Sequence, residues 1–303
     1  MYDSLFVWKN NSCSYDSILS PLWYIYKNRS SPEERLSFNS VSVLGDVFPR
    51  IAGGTIDVAE AKALLSEDVF SINSRFEHGT FLNIFDVISH ILRHSRVEDL
   101  TSTSDDLCVT KVVRKKICVN PICENFEKEI VSEEGIDVQH YRPAYDHTKG
   151  VQSVVDQFWD DESEDHGRSH SCFECKMRAR WERDIASTPF ILFLAFTKPL
   201  SSNLDLTLTF GGHDYDLVAI IYYGHSHYVV RMISSEGMVL EYDGMKRMGR
   251  LAEVNSDSPL SSSIVDLTGN SREAISAWYK KRNASAHLHL KGVVEIGNPE
   301  NNC

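Results

Sequence analysis

The chain has 303 residues, 42% hydrophobic and 24% charged, which supplies material for a core and excludes wholesale disorder. Its formal net charge of -12 argues against a nucleic-acid binder, which needs a basic face to displace counterions from phosphate. No apolar run approaches the roughly 18 to 20 residues that cross a bilayer, and the opening MYDSLFVWKNNSC has neither a basic leader nor a long apolar stretch, so an intracellular protein of nucleus or cytosol is expected.

In chain order, Ile18, Leu19, Leu22, Trp23, Ile25 and Tyr26 recur at helical spacing and predict a buried helix over 17–26 that opens near Cys13, with Pro21 as a kink point. Further helices are expected at 59–65 and 81–92, the second with Phe81, Ile84, Phe85, Ile88 and Leu92 on one face. Residues 1–100 are thus read as mainly helical. Residues 101–187 differ: they are polar, carry an acidic run from Asp160 to Asp165 that reads as solvated loop, and hold five of the seven cysteines. An odd, unevenly spread cysteine set points to metal binding or catalysis rather than to a disulfide framework. This part reads as an insertion.

From residue 190 the texture becomes β, with strands expected at 190–197, 204–210, 215–223, 228–233 and 238–242, rich in aromatic and β-branched residues. Gly211-Gly212, 224–226 and 235–237 are turn material, so 188–250 reads as an antiparallel meander. Residues 251–303 read as a Ser-rich C-terminal extension with one helix at 272–281. Helices first and strands last give an α+β class, with all four parts in one domain.

Cys13 lies in a polar turn that opens onto the first apolar helix. A helix N-terminus favours thiolate over thiol. Its free N–H groups, with the side-chain amide of Asn10 or Asn11, suit an oxyanion. His227 begins one expected strand and Asp243 ends the next, so a hairpin turning at 235–237 brings both to one end. A carboxylate beside the imidazole fixes its tautomer and leaves the other nitrogen to take a proton from Cys13. Alone, Cys13 reads better as a buried structural residue and His227 as a core or edge histidine; Asp243 across the hairpin is what favours the catalytic reading. His225 is expected to have no chemical role.

Cys172-Phe-Glu-Cys175 is a C-x-x-C knuckle, and Cys118 and Cys123 form a wider pair. Two such pairs suit a tetrahedral structural zinc site, with Cys108, His166 or His170 able to replace one ligand. No organic cofactor is expected.

The box around Cys13, the segment Pro189 to Pro199, the strand Tyr-Asp-Leu-Val-Ala-Ile-Ile-Tyr-Tyr-Gly, the His-Tyr-Val-Val box and the Tyr-Asp-Gly end together resemble the ubiquitin-specific-protease family. These motifs anchor residues 5–30 and 187–247. The resemblance implies a papain-like cysteine peptidase with a helical thumb (1–100), a zinc-bearing fingers insertion (101–187) and a β palm (188–250). It would cleave the bond after the C-terminal Gly-Gly of a ubiquitin-like modifier. Cys13 would be nucleophile, His227 general base, Asp243 orienting residue and Asn10 the oxyanion side chain. The family places that asparagine farther before the nucleophile; Asn10 is chosen because Trp-Lys-Asn matches outlying members that act on SUMO. Asp16 stands where ubiquitin-directed members usually carry asparagine and where the ubiquitin-specific-protease-like SUMO isopeptidase has aspartate, so SUMO is slightly favoured over ubiquitin. The box also resembles divergent fungal, transposon-associated relatives. Competing readings are a transglutaminase-like or amidase-like acyl transferase, a non-catalytic adaptor that binds the modifier, and a zinc-dependent interaction module.

Overall fold

The computed structural model describes residues 6, 12–72, 84, 87–88, 107–108, 110–120, 122–123, 126–133, 150–153, 155–156, 170–172, 174–196, 204–254 and 272–283. Helix α1 (Cys13–Tyr24) is buried along its whole length, which is why its apolar residues spill beyond a single stripe. It begins before the expected residue 17 and carries Pro21 inside; proline removes one backbone donor, but the helix runs on and ends in a π-helical turn, Ile25–Arg29. Helix α2 (Pro32–Arg35) opens on a capping box: Ser31 Oγ accepts from the Glu34 N–H at 3.2 Å and Glu34 Oε2 accepts from the Ser31 N–H at 2.7 Å. Helices α3 (Ser42–Ala52) and α4 (Val58–Ile72) follow, α4 extending the helix expected at 59–65. Of the helix expected at 81–92, Ile84, Val87 and Ile88 are described, each helical and buried. The acidic run 160–165 lies outside the described residues.

Two antiparallel sheets carry the rest. The first joins β1 (Thr110–Cys118), β2 (Phe126–Glu133), β3 (His170–Ser171) and β4 (Arg178–Ser187) in the order β2-β1-β4-β3. The second has seven strands: β5 (Ile191–Ala195), β6 (Thr207–Phe210), β7 (His213–Gly224), β8 (His227–Ile233), β9 (Val239–Tyr242), β10 (Ala252–Glu253) and β11 (Glu273–Lys281). Their order is β10-β9-β8-β7-β11-β5, with β6 beside β7.

The helix expected at 272–281 is therefore a strand, β11, lying between β7 and β5. The palm sheet thus continues past residue 250 to Lys281. The physical reason is two-sided burial. Trp278 packs into the cluster shared with α1 and α3, whereas Ala277 and Tyr279 pack into a second cluster on the opposite face with Val151 and Val155. A strand covered on both faces loses the polar–apolar alternation by which strands are read. Among the described residues no helix is long and apolar enough to cross a membrane.

Candidate active site

Helix α1 packs against β8, and this contact brings the two halves of the site together. The hairpin β8–β9 pairs Val230 with Tyr242 and Met232 with Leu240, so His227 and Asp243 fall at the same end. Its turn is closed by Ser234, whose hydroxyl accepts from the N–H of Met238 at 2.9 Å and of Glu236 at 3.2 Å. At the other end of β8, His225 and Ser226 take φ of 54° and 58°, and this two-residue turn pairs Gly224 with His227. His225 itself is exposed.

Cys13 is the first residue of α1, and Cys13, His227 and Asp243 are 6%, 6% and 5% exposed. His227 Nε2 and Asp243 Oδ1 are 2.8 Å apart. Nδ1 is buried and closes no hydrogen bond among the described residues. With Nε2 committed to Asp243, Nδ1 is the nitrogen left for the Cys13 thiol, which lies close enough to act on the ring's charge. Burial alone would lower the imidazole pKa; the bond to Asp243 and the proximity of Asp243 and Cys13 outweigh it and raise it from 6.5 to about 9. Burial pushes the Asp243 carboxyl upward, but His227 and Lys246 overcome this and bring it down to about 2. Asp243 Oδ1 also accepts from the Met245 N–H at 3.1 Å, while Oδ2 lies 3.2 Å from Lys246 Nζ and 4.0 Å from an Arg272 nitrogen. Asn10 lies outside the described residues.

One helical turn after the nucleophile stands an ion pair that sequence reasoning did not find. Asp16 is fully buried and paired with Lys62 of α4 at 2.8 Å. Burial raises the Asp16 carboxyl to about 6 against the opposing pull of Lys62 and Ser12. The one local signal was the spacing of Ser12 and Asp16 across a single helical turn. Lys62 offers none.

In the first sheet, the sulfurs of Cys118, Cys123, Cys172 and Cys175 all lie within 4.8 Å of one another. Cys118 closes β1; Cys172 and Cys175 occupy the turn between β3 and β4. The Cys118–Cys175 and Cys123–Cys172 sulfur separations are 3.3 and 3.6 Å. Tetrahedral thiolates about 2.3 Å from zinc stand about 3.8 Å apart, so the four residues fit that ion. The Asn120 N–H donates to Cys118 Sγ at 3.4 Å, as backbone amides around a thiolate site do. Cys108 is elsewhere, buried with Ile18, Leu22 and Trp278 beside a small apolar cavity. His166 lies outside the described residues, and His170 forms part of β3.

No family model and no curated protein matches the sequence. Solved structures do. The SAGA DUB module of Ubp8, Sgf11, Sus1 and Sgf73 bound to monoubiquitin aligns at a TM-score of 0.56 and 14% identity, covering 93% of this chain and 69% of that one. The same module bound to ubiquitin aldehyde aligns at a TM-score of 0.51 and 13% identity, covering 93% and 70%. A form with a shortened Sgf11 aligns at 0.51 and 15% identity, covering 93% and 68%. Two of these are bound to ubiquitin or ubiquitin aldehyde, and the expectation of SUMO gains no support from them. The chain has a ubiquitin-specific-protease-like α+β fold, with Cys13, His227 and Asp243 gathered at one junction and four cysteines that could hold a metal ion.

Proposed function

We propose that the chain is a thiol-dependent isopeptidase that removes a ubiquitin-family modifier, with ubiquitin the preferred partner. The observation that carries this reading is the His227 ring, held on Nε2 by Asp243 at 2.8 Å and open on Nδ1 toward Cys13 at the start of a helix. In the proposed cycle the Cys13 proton is already held on His227 Nδ1, and Sγ attacks the carbonyl carbon of the modifier's terminal glycine. The oxyanion that forms faces the first N–H groups of α1, which the Ser12 side chain does not cap. Asn10 is the side-chain donor we assign alongside them. His227 then returns its proton to the leaving amine, the C–N bond breaks and a thioester remains. Water, deprotonated by the imidazole, hydrolyses that thioester and restores the thiol.

Zinc is assigned to Cys118, Cys123, Cys172 and Cys175, where it would cross-link the two turns of the first sheet and take no part in the chemistry. The SUMO reading rests on Asp16, and that carboxylate is fully buried against Lys62. A residue so placed cannot discriminate modifiers by touching them, which is why ubiquitin is preferred. An intracellular setting, nucleus or cytosol, accompanies the proposal. The test is release of fluorophore from ubiquitin-aminomethylcoumarin: turnover that vanishes in Cys13→Ala supports the reading. Equal turnover in wild type and Cys13→Ala, or none in folded zinc-loaded wild type, overturns it.

A further inference from the structure

The turn of α1 that carries Cys13 is held from outside by a cation. Lys62 Nζ, on α4, donates to Ser12 Oγ at 2.8 Å and to Asp16 Oδ2 at 2.9 Å, and lies 2.8 Å from Asp16 Oδ1. Ser12 Oγ in turn donates to Asp16 Oδ2 at 2.6 Å. Ser12 precedes the nucleophile and Asp16 follows it by one helical turn, so the ammonium grips the chain on both sides of Cys13.

Two features set this group apart from an ordinary surface pair. The Asp16 side chain is 0% and the Lys62 side chain 16% exposed, and a buried ion pair contributes little to stability that apolar residues of the same volume would not. Ser12 also occupies the N-cap position yet makes no capping bond, and its φ of -77° and ψ of 11° depart from the extended cap conformation. Its hydroxyl is committed to Lys62 and Asp16, which leaves the amides beside Cys13 free of a side-chain cap. The group also reaches the far side of the site: Tyr242, the residue before Asp243, feels the Asp16 charge and donates to the Phe6 carbonyl.

Resting on the isopeptidase reading, we propose that Lys62 is a positioning residue: by holding Ser12 and Asp16 it fixes the first turn of α1 and keeps Cys13 Sγ aligned with His227 Nδ1. It touches no reacting atom. Its removal strands a buried carboxylate, so Lys62→Met alone confounds misalignment with misfolding. The double variant Lys62→Met/Asp16→Asn removes both charges and separates the two.

The experiment uses the full zinc-loaded chain and two readouts. With ubiquitin-aminomethylcoumarin, the double variant is expected to lose about 10- to 100-fold in kcat with KM changed by less than about twofold, as for a displaced nucleophile. The second readout needs no substrate: the pH profile of iodoacetamide alkylation at Cys13, resolved by peptide mass spectrometry. In wild type this profile depends on His227 and changes in His227→Ala; in the double variant, melting within a few degrees of wild type, it is expected to match His227→Ala. A double variant that melts like wild type and keeps both its kcat and its alkylation profile overturns the proposal. If wild type turns over no ubiquitin substrate while the double variant still loses the imidazole-dependent profile, the assigned reaction fails and the positioning role stands.

Discussion

Replacing Asp243 by asparagine preserves the side-chain shape and an oxygen facing His227 Nε2 but removes the charge. The imidazole stands at about 9 against an ordinary 6.5, a preference for imidazolium worth about 3 kcal/mol. Asp243 is the largest upward influence on the ring and burial the opposing one, so Asp243→Asn leaves burial opposed by Cys13 alone. The His227 pKa is then expected to fall back toward 6.5 or below it. At neutral pH the ring would change from almost wholly protonated to largely neutral, depriving the leaving amine of its acid. General acid catalysis of this kind is worth about 100- to 10,000-fold, so a loss of at least about tenfold in kcat is expected. The alkaline limb of kcat/KM, near pH 9 in wild type, should move acidward with the His227 ring titration followed by NMR. Stability follows the same groups. The His227 contribution is complete below 6.5 and lost as pH rises through about 9; the Asp243 contribution is complete above 3.8 and lost as pH falls through about 2. The melting temperatures of wild type and Asp243→Asn should therefore differ most between those inner limits. An unmoved alkaline limb, with an unmoved His227 titration, would refute the reasoning.

The remaining predictions concern the scaffold. Metal analysis of the purified chain should find one zinc per molecule, lost in Cys175→Ser or on treatment with a strong chelator, with faster amide exchange in β1 and β4; full protection without metal would contradict a structural ion. At Gly211, φ is +56° and an added Cβ would sit 2.4 Å from Thr188 Cγ2, so Gly211→Ala should cost about 2 to 4 kcal/mol in denaturant unfolding from strain and overlap together. Gly212→Ala meets nothing within 4 Å and should cost only the conformational strain, about 1 to 2 kcal/mol. Ser226→Gly relieves a φ of 58° beside His227 and should raise the melting temperature by a few degrees, by up to about 1 kcal/mol of stabilisation; a lowered melting temperature would contradict that turn geometry.

What the sequence revealed follows where its signals were local. The strands at 215–223, 228–233 and 238–242 alternate or end at Gly-rich turns, so the hairpin that joins His227 to Asp243 could be read from turn spacing, and β7, β8 and β9 lie there. The four cysteines announced themselves by pair spacing, and their sulfurs converge. Segment 272–281 misled because Ala274, Ala277 and the spacing of Ile275 and Trp278 fit a helix, while its place between β7 and β5 is set by partners far away in the chain. Pro21 suggested a kink, and α1 runs through it, buried along its length. Lys62 could not have been found, since its pairing with Asp16 spans 46 positions and Lys62 belongs to no motif. Arg272, near Asp243 Oδ2, was likewise invisible because it comes from a distant part of the chain, whereas Lys246 stands three residues after Asp243 and lay within reach of a local reading.

The most direct test of the central claim is covalent capture by two electrophilic probes, one built on the C-terminus of ubiquitin and one on that of SUMO, scored by intact and peptide mass spectrometry. The account predicts a single adduct with the ubiquitin probe, located on Cys13 and absent from Cys13→Ala. Labelling of another cysteine, or no adduct with either probe in folded zinc-loaded protein, would contradict it.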